Sequence, residues 1–595
     1  MKQVVLKQKH LNKITSQGYV ADYLINLGIA PENLPSFLEG PQSGDELSPR
    51  LLDNMEAAAQ LVYVCCHTES FKNIFVQVDS DADGYTSSSI LIRYLKRRFP
   101  DCNIQWRLHK GKEHGVIVDT VPEECGLVII PDAGSNQVEE QKQLAALGKV
   151  VVILDHHEVS RAELIENVVI VNNQISDNFS NKCLSGAGVT YKFIQMMDEM
   201  FFEDRIYTDY ADLAAVGIIA DVMDMKHVDN NAIAWLGLTN IKNGFIRELM
   251  IRQKFRLGEK NYLTKHEVSF YIAPFINGVI RAGSPEDKEY TFRSMAGLFD
   301  PNVELANDGK PETFDQRAVR LAANAKSRQD SNKKKAFEWI RDKIIDENWH
   351  MDNVIIATLN DRESLKVSPN LTGLIAMELV KEFNKPCLVL RNTEYEGQQV
   401  FGGSGRNGEF KGFNNLLEFL HDNNVYYAEG HANAFGAYLT AQDIDNVRKN
   451  ANLSINPDVF DDTTYEVDYW FHTGEKISLE MMWDIADNYE LWLKNSIPEP
   501  LIAIDTNFDF SQVMVMGKNK DSFRIKLDGL DCVALTSPDI LKELRDAQHG
   551  HITIIGFPRV NEWMGRRTVQ FNIEDIAVVS TEEIKNTKVN IFDLI

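Results

Sequence analysis

The chain has 595 residues, of which 44% are hydrophobic and 25% charged, and its formal net charge is −25. Its length predicts three or four domains of about 150 residues, and its composition is typical of a soluble globular protein. We expect no membrane helix, because no run approaches the roughly 18 apolar residues that a span requires. The acidic charge argues against a protein that coats nucleic acid through a basic face, but it does not exclude a nuclease.

The N-terminus and the cysteines indicate the compartment. The first 19 residues contain no apolar stretch like that of a signal peptide. The seven cysteines are scattered, with neither the spacing of a zinc site nor that of a disulfide framework. We therefore expect a reduced, cytoplasmic setting.

Five segments follow one another along the chain, and together they predict an α/β protein with a C-terminal β-barrel. Short apolar runs at 74–78, 127–130 and 150–154 alternate with amphipathic segments, which predicts an open parallel sheet. The predicted segments are 1–70 (helical), 71–250 (the parallel-sheet domain), 251–345 (a connecting helical region ending in a long polar helix), 346–455 (a second α/β unit) and 456–595 (a small barrel with a helix near 538–547).

Acidic and histidine residues follow the apolar runs of the first sheet. The sequence VDSDADG at 78–84 places three carboxylates at alternate positions, and their mutual repulsion would be relieved by a hard divalent cation. A calcium loop of the EF-hand type is the alternative, but it needs a glutamate where Ile90 stands. The further clusters are PDAG at 131–134, LDHHE at 154–158 and GIIADV at 217–222, each predicted at a strand end.

This order of motifs, DxDADG, an isolated Asp, DHH and ADV, resembles that of the DHH phosphoesterase superfamily. The resemblance implies two bound ions, Mn²⁺ or Mg²⁺. It implies the metal ligands Asp79, Asp81, Asp83, Asp132, His156 and Asp221. It also implies that His157 lies close to the scissile phosphate and that Asp155 orients the histidine pair.

The rest of the chain resembles the RecJ branch of that superfamily. The segments at 24–41, 273–281 and 561–571 are similar to the RecJ N-terminal segment, to its PRxNAxGR segment and to the last strands of its OB-fold. GSGRN at 403–407 and EGHANAFG at 429–436 are similar to the two signatures of the DHHA1 domain. The fold expected is therefore a DHH parallel-sheet core and an α/β DHHA1 domain joined by a long helix, with an OB-like barrel. The implied substrate-binding residues are His109, Asn277, Arg281, Ser404, Arg406 and His431.

Three positions depart from the RecJ pattern. Gln77 stands where RecJ has a histidine, which predicts a more loosely held ion or a greater reliance on Asp79. His109 replaces an arginine, so we expect weaker, pH-sensitive binding of phosphate at that position. His114 replaces a tyrosine. Such changes fit a divergent, virus-encoded branch.

The resemblance implies a two-metal exonuclease that acts on single-stranded DNA from its 5′ end, as a monomer, with single-strand-binding or repair proteins as partners. Trp563 and Phe571 are candidate stacking rings for the strand, although such aromatics are more often core residues. The alternatives are a short-oligonucleotide or cyclic-dinucleotide phosphodiesterase and a weakly active replication or repair scaffold.

Overall fold

The computed structural model describes residues 3–7, 11, 18–110, 113–160, 163–300, 305–307, 309–408, 410, 412–460, 464–563 and 565–579. The side chains of residues 305–307, His431, Trp563, 578 and 579 lie outside this described part. No helix within it is long and apolar enough to cross a membrane.

The first α/β unit is built on a five-stranded parallel sheet, here called the catalytic sheet. Its strands, in spatial order, are Asn103–Leu108, Asn73–Val78, Leu127–Pro131, Val150–Asp155 and Val168–Asn172. The apolar runs form central strands because both faces of the sheet are covered. The neighbouring helices are Ala82–Arg98, Val138–Ala146, Gly186–Phe201 and Ala211–Ala220. The predicted parallel core is confirmed.

Helices precede and follow this unit. Those before it are Tyr19–Asn26, Leu34–Leu38 and Met55–Cys66. Those after it are Val228–Leu238, Gly244–Arg252, Lys254–Leu257, Lys265–Glu267, Ala273–Ala282 and Pro285–Met295, with a π-helical turn at Val268–Ile272. A short hairpin of Leu305–Asn307 and Lys310–Glu312 leads into the linking helix, Phe314–Asp346, which has 33 residues and begins at a capping box on Thr313.

The linking helix reaches two separate hydrophobic cores. Its first half places Ala318 and Ala322 in the core of the catalytic unit, and its second half places Ile340 and Ile344 in the core of the second unit. That second unit has a mixed sheet of Tyr427–His431, Ala434–Leu439, Gln398–Arg406, Cys387–Tyr395 and Ile355–Leu359. Its helices are Asp361–Ser364, Thr372–Phe383, Leu416–Asp422 and Ala441–Ser454.

The C-terminal unit is a seven-stranded sheet whose described strands do not close into a barrel. In spatial order the strands are Tyr469–Phe471, Ile502–Asp509, His549–Trp563, Arg566–Val579, Leu530–Ala534, Ser522–Leu527 and Met514–Met516. The helices Leu479–Asp487 and Pro538–Ala547 accompany it, the second where the sequence predicts one. The closed barrel expected from sequence is therefore replaced by an open sheet.

The C-terminal unit shares one continuous core with the catalytic unit. The ring of Trp492 meets that of Tyr23 edge-on at 6.0 Å, and the hydroxyl of Ser496 donates to Asp224 at 2.7 Å. The strand Gln3–Leu6, which the sequence did not predict, pairs in parallel with Thr464–Val467. Removing the C-terminal unit would thus expose apolar surface of the catalytic unit.

Candidate active site

The carboxyl ends of the catalytic strands bring the acidic clusters together. Asp79, Asp132 and Asp155 end or follow three adjacent parallel strands, and their side chains therefore reach the same edge. Asp221 differs from expectation, because it follows the helix Ala211–Ala220 and not a strand. The apolar run before it forms a buried helix, since a short apolar segment does not by itself distinguish helix from strand.

One group of ligand atoms converges around His156. Its Nε2 lies 3.2 Å from Asp132 Oδ1 and 3.4 Å from Asp221 Oδ2. The carboxylates of Asp83 and Asp221, with His156, offer atoms within 4.8 Å of one another. Asp83 Oδ2, Asp132 Oδ1 and Asp221 Oδ2 are buried and accept no hydrogen bond among the described residues. Buried carboxylate oxygens without a donor are costly, and a divalent cation is the group that would satisfy them.

The carboxylates of this site repel one another. Burial, followed by the charges of neighbouring aspartates, raises the pKa of Asp81 to about 6 and that of Asp221 to about 8. The same two causes raise the pKa of Asp132 well above its usual range. A bound cation would reverse this effect by favouring the ionised carboxylates.

A second group is made of oxygen ligands alone. Asp79, Asp81 and Asp132 offer carboxylate oxygens within 4.8 Å of one another, so Asp132 is common to both groups. Hydrogen bonds from His109 and His114 outweigh the opposing effect of burial and hold the pKa of Asp79 below its usual range. Gln77 is buried beside them, and its Oε1 accepts no hydrogen bond from the described residues.

Asp155 holds the histidine pair in place. Its Oδ1 accepts from the backbone of His156 at 2.7 Å and faces His157 Nδ1 at 2.8 Å, while its Oδ2 accepts from the backbone of Ser135 at 2.9 Å. The hydrogen bond to Asp155 raises the pKa of His157 to about 9. Because Nδ1 is engaged, Nε2 of the half-exposed His157 ring remains to face a ligand.

Two glycines permit the close approach of helices to these carboxylates. A Cβ on Gly186 would lie 2.4 Å from Asp132 Oδ1, and one on Gly217 would lie 2.4 Å from Asp83 Oδ1. The helix that begins at Gly186 directs the backbone of Ala187 to Asp83 Oδ1 at 3.1 Å. Asp132 itself has a φ of 63°, a left-handed conformation that costs energy outside glycine.

A cavity of about 270 Å³ opens at Ser80 and at His114, which contacts Asp79, and it lies between the catalytic sheet and the second unit. Its lining includes His114, Arg281, Ser404 and Arg406. Arg406 donates only to its neighbouring backbone, Gly405 O at 2.7 Å, among the hydrogen bonds described for its guanidinium. Glu113 also lines this cavity and the charge of Asp81 attracts Arg281, but no described ion pair joins either arginine to a carboxylate. The two guanidinium groups therefore favour an anionic ligand.

The comparisons with known proteins agree with this architecture. The DHH family, N-terminal domain, matches residues 73–218, and the RecJ OB domain matches residues 495–575. The chain is 34% identical over 543 residues to YorK of Bacillus subtilis strain 168, named as an SPbeta prophage-derived single-strand DNA-specific exonuclease, with 89% of this chain and 92% of the relative covered. It is 25% identical over 582 residues to the single-stranded-DNA-specific exonuclease RecJ of the same strain, with 94% and 68% covered. The chain belongs to the RecJ family.

Solved structures of RecJ share the fold. RecJ of Thermus thermophilus in complex with Mn²⁺ matches with a TM-score of 0.68 at 19% identity, over 97% of this chain and 79% of that one. The complex of the same protein with Mg²⁺ gives a TM-score of 0.65 at 18% identity, over 97% and 78%. The expected resemblance to RecJ is therefore confirmed, and the prophage origin of YorK fits the expected virus-encoded branch.

The RecJ-like residues expected to bind substrate differ in their placement. Arg281, Ser404 and Arg406 line the cavity, and Asn277 lies in the adjoining one. His109 does not suit a direct substrate contact, because its side chain is 0% exposed. His431 ends a strand of the second sheet, and its side chain lies outside the described part.

The structure decides between the two alternatives for Phe571 and gives His114 a place that the sequence did not indicate. Phe571 is fully buried in the core shared with the catalytic unit, so it is no stacking ring, and the side chain of Trp563 is outside the described part. His114 was noted only as a departure from the RecJ pattern, yet it is half-exposed and faces both Asp79 and His157. The one signal for it was its position in the loop after a strand of the parallel sheet.

Proposed function

We propose that the protein is a metal-dependent exonuclease that hydrolyses the phosphodiester bonds of single-stranded DNA from the 5′ end with two divalent cations. The observation that carries this proposal is the set of three buried carboxylate oxygens without hydrogen-bond donors among the described residues, on Asp83, Asp132 and Asp221. A cavity lined by two arginines opens nearby, at Ser80 and His114. The names of the relatives, which are single-strand DNA-specific exonucleases, support the substrate class.

The two groups of ligand atoms give each cation its residues. Asp83, Asp132, His156 and Asp221 would hold one ion, and Asp79, Asp81 and Asp132 the other, so Asp132 offers oxygens to both. These donors suit Mn²⁺ or Mg²⁺, which prefer carboxylate oxygens and, for Mn²⁺, tolerate imidazole. When bound, such a pair polarises the phosphodiester and lowers the pKa of the attacking water.

The protein's own residues then place and stabilise the phosphate. His157, fixed through Nδ1 by Asp155, would turn its Nε2 to a non-bridging oxygen. Its raised pKa, about 9, keeps the ring protonated near neutral pH and makes it a donor to developing negative charge. Asp155 stays ionised because hydrogen bonds from His157 and Ser135 outweigh its burial and hold its pKa below its usual range.

Arg281 and Arg406 would make cleavage depend on a strand end, by binding the terminal 5′-phosphate. A terminal phosphate monoester carries more negative charge than an internal phosphodiester, and two guanidinium groups match it as fork-shaped donors. Ser404, whose hydroxyl is 2.9 Å from that of Thr372, lies beside them. A 5′-phosphate held in this cavity would leave the adjacent phosphodiester at the carboxylates, whereas a 3′-hydroxyl end offers no such charge.

A second cavity favours long strands over dinucleotides. It has a volume of about 400 Å³ and shares Arg281 and Leu374 with the cavity at the carboxylates. Its remaining basic lining residues are Lys326 and Lys333, which are ion-paired with Asp330 and Glu378, and Lys494, which lies between the first two strands of the C-terminal sheet in chain order. A strand that extends past Arg281 would enter this cavity, where the ammonium of Lys494 would attract its phosphates.

Strand degradation with defined ends tests the proposal. Single-stranded DNA, RNA and dinucleotides are incubated with Mn²⁺, Mg²⁺ or a chelator, and products are followed from a label at either end. We expect metal-dependent release of mononucleotides from 5′-phosphorylated DNA, faster on long strands than on dinucleotides. A preference for dinucleotides would support the short-oligonucleotide enzyme, and cleavage from the 3′ end would refute the assigned polarity.

A further inference from the structure

The loop that follows the strand Asn103–Leu108 closes around the carboxylate of Asp79. His109 Nε2 lies 3.3 Å from Asp79 Oδ1, and the backbone of Gly115 donates to the same oxygen at 3.1 Å. His114 Nδ1 lies 2.9 Å from Oδ2. Both oxygens of this carboxylate are therefore oriented by one loop, from a strand that neighbours its own.

The neighbours of His109 determine which ring nitrogen carries its proton. Arg107 Nη1 lies 3.1 Å from His109 Nδ1, and a guanidinium can only donate. Arg107 is held in turn by Glu113, at 2.6 Å from its Nη2. The alternative, in which Nδ1–H donates to Glu113 Oε2, has a longer separation of 3.4 Å. The amide nitrogen of Gln77, also a donor, lies farther away, at 3.5 Å from Nδ1 and 3.4 Å from Nε2. The shorter contacts make Nδ1 the acceptor from Arg107 and Nε2–H the donor to Asp79.

Burial excludes a direct contact between His109 and substrate. Its side chain is 0% exposed, whereas that of His114 is 56% exposed and lines the cavity. His109 also belongs to none of the groups of three or more ligand atoms found in the described residues, while Asp79 does. Its polar atoms therefore act on the site through Asp79.

We propose that His109 is a positioning residue that fixes the Asp79 carboxylate for the second of the two cations, through the hydrogen-bonded series Glu113, Arg107, His109 and Asp79. The inference rests on the proposed two-ion function and deepens it. The cation assigned to Asp79, Asp81 and Asp132 depends on His109 more than the cation assigned to His156 does. Asp79 is a candidate ligand of the first cation and not of the second. Loss of such an orienting partner lowers metal affinity by about 10–100-fold.

Metal binding by histidine variants tests this role without relying on activity. Titration calorimetry with Mn²⁺ gives the number and affinity of the ions, and electron paramagnetic resonance detects the spin-coupled pair. His109→Leu removes the donor, whereas His109→Gln keeps an N–H donor near the position of Nε2. His67→Leu changes an exposed histidine at the end of the helix Met55–Cys66, just before the catalytic unit, and serves as the matched control.

We expect the leucine variant to bind one ion with parental affinity and the second about 10–100-fold more weakly, with loss of the spin-coupled signal. The glutamine variant should recover most of the affinity and the signal, and the control should match the parent. If His109→Leu does not fold, His109→Glu replaces it, since it has the shape of the glutamine but repels Asp79.

Two results would overturn the role of His109. Parental binding of both ions by the leucine variant would mean that Asp79 needs no help from it. Equal loss of both ions in a folded variant would mean that His109 supports the whole site and not Asp79. A parent protein that binds a single Mn²⁺ would instead refute the two-ion function itself, so the two failures are distinguishable.

Discussion

Replacing Gly217 by alanine should impair catalysis without altering any ionisable group. The added Cβ would lie 2.4 Å from Ala187 Cβ, 2.4 Å from Asp83 Oδ1 and 2.5 Å from Thr86 Oγ1, whereas ordinary contact begins at 3.4 Å. The helix Ala211–Ala220 or the Asp83 carboxylate must therefore move by about 1 Å. Overpacking of this kind costs about 1–3 kcal/mol, and a misplacement of about 1 Å at a reacting group lowers the rate by about 10²-fold.

Gly148→Ala is the matched control for lost stability. Gly148 has a φ of 73° and its added Cβ would meet nothing within 4 Å. Alanine in this left-handed conformation costs about 1–2 kcal/mol, a loss similar to that expected at Gly217, but it moves no carboxylate. The two variants should therefore share a lowered melting temperature and differ in rate.

Single-turnover hydrolysis of end-labelled single-stranded DNA at saturating Mn²⁺ gives the rate, and thermal melting gives the stability. We expect Gly217→Ala to be slower than Gly148→Ala by about 10²-fold, since only the first displaces a group at the reacting centre. Equal rates in the two variants would refute the reasoning, because the tight approach of the helix to Asp83 would then have no bearing on catalysis.

Three further outcomes are expected. In the metal-free protein the raised pKa values of Asp81, about 6, and Asp221, about 8, add stability at low pH that is lost as pH rises toward these values. The rise in melting temperature on adding Mn²⁺ should therefore be larger at about pH 8.5 than at about pH 5. An equal rise at the two pH values would contradict this. Arg406→Lys should slow degradation of 5′-phosphorylated strands more than that of strands with a 5′-hydroxyl, because an ammonium cannot form the paired hydrogen bonds of a guanidinium. Comparable slowing on both substrates would mean that Arg406 does not bind the 5′-phosphate. Lys192→Met should lower the free energy of unfolding, measured with urea, by about 3–5 kcal/mol. The substitution leaves the buried Asp229 carboxylate, 2.8 Å from the ammonium, without its ion-pair partner. A loss within about 0.5 kcal/mol would contradict this.

Much of the catalytic unit could be predicted from the sequence because its patterns are local. A buried parallel strand has to be a short apolar run, and the residues after it must reach the sheet edge, so 74–78, 127–130 and 150–154 gave both the strands and the placement of Asp79, Asp132 and Asp155. Asp221 was placed near the site but on the wrong element, because a fully buried helix has no polar stripe by which to recognise it.

What the sequence could not give depends on contacts between distant segments. The role of His109 was misjudged because its burial is decided by packing against a neighbouring strand and by Arg107, not by its own neighbours in the chain. The sequence predicts the C-terminal unit as a small barrel, but the apolar residues of this unit, among them Phe571 and Trp492, enter the core of the catalytic unit. Alternation along a strand indicates that one face is buried, but it does not say against which part of the molecule.

The linking helix has a consequence for how the molecule melts. At a rise of about 1.5 Å per residue, its 33 residues extend for about 50 Å, and its two halves are anchored in cores that do not merge. The unit that carries Arg406 can therefore lose its tertiary structure while the other core stays intact, so heating should give two calorimetric transitions. Mn²⁺ would shift only the transition of the core that carries Asp83. At temperatures between the two transitions, the protein would still bind its cations but would no longer bind the 5′ end of a DNA strand.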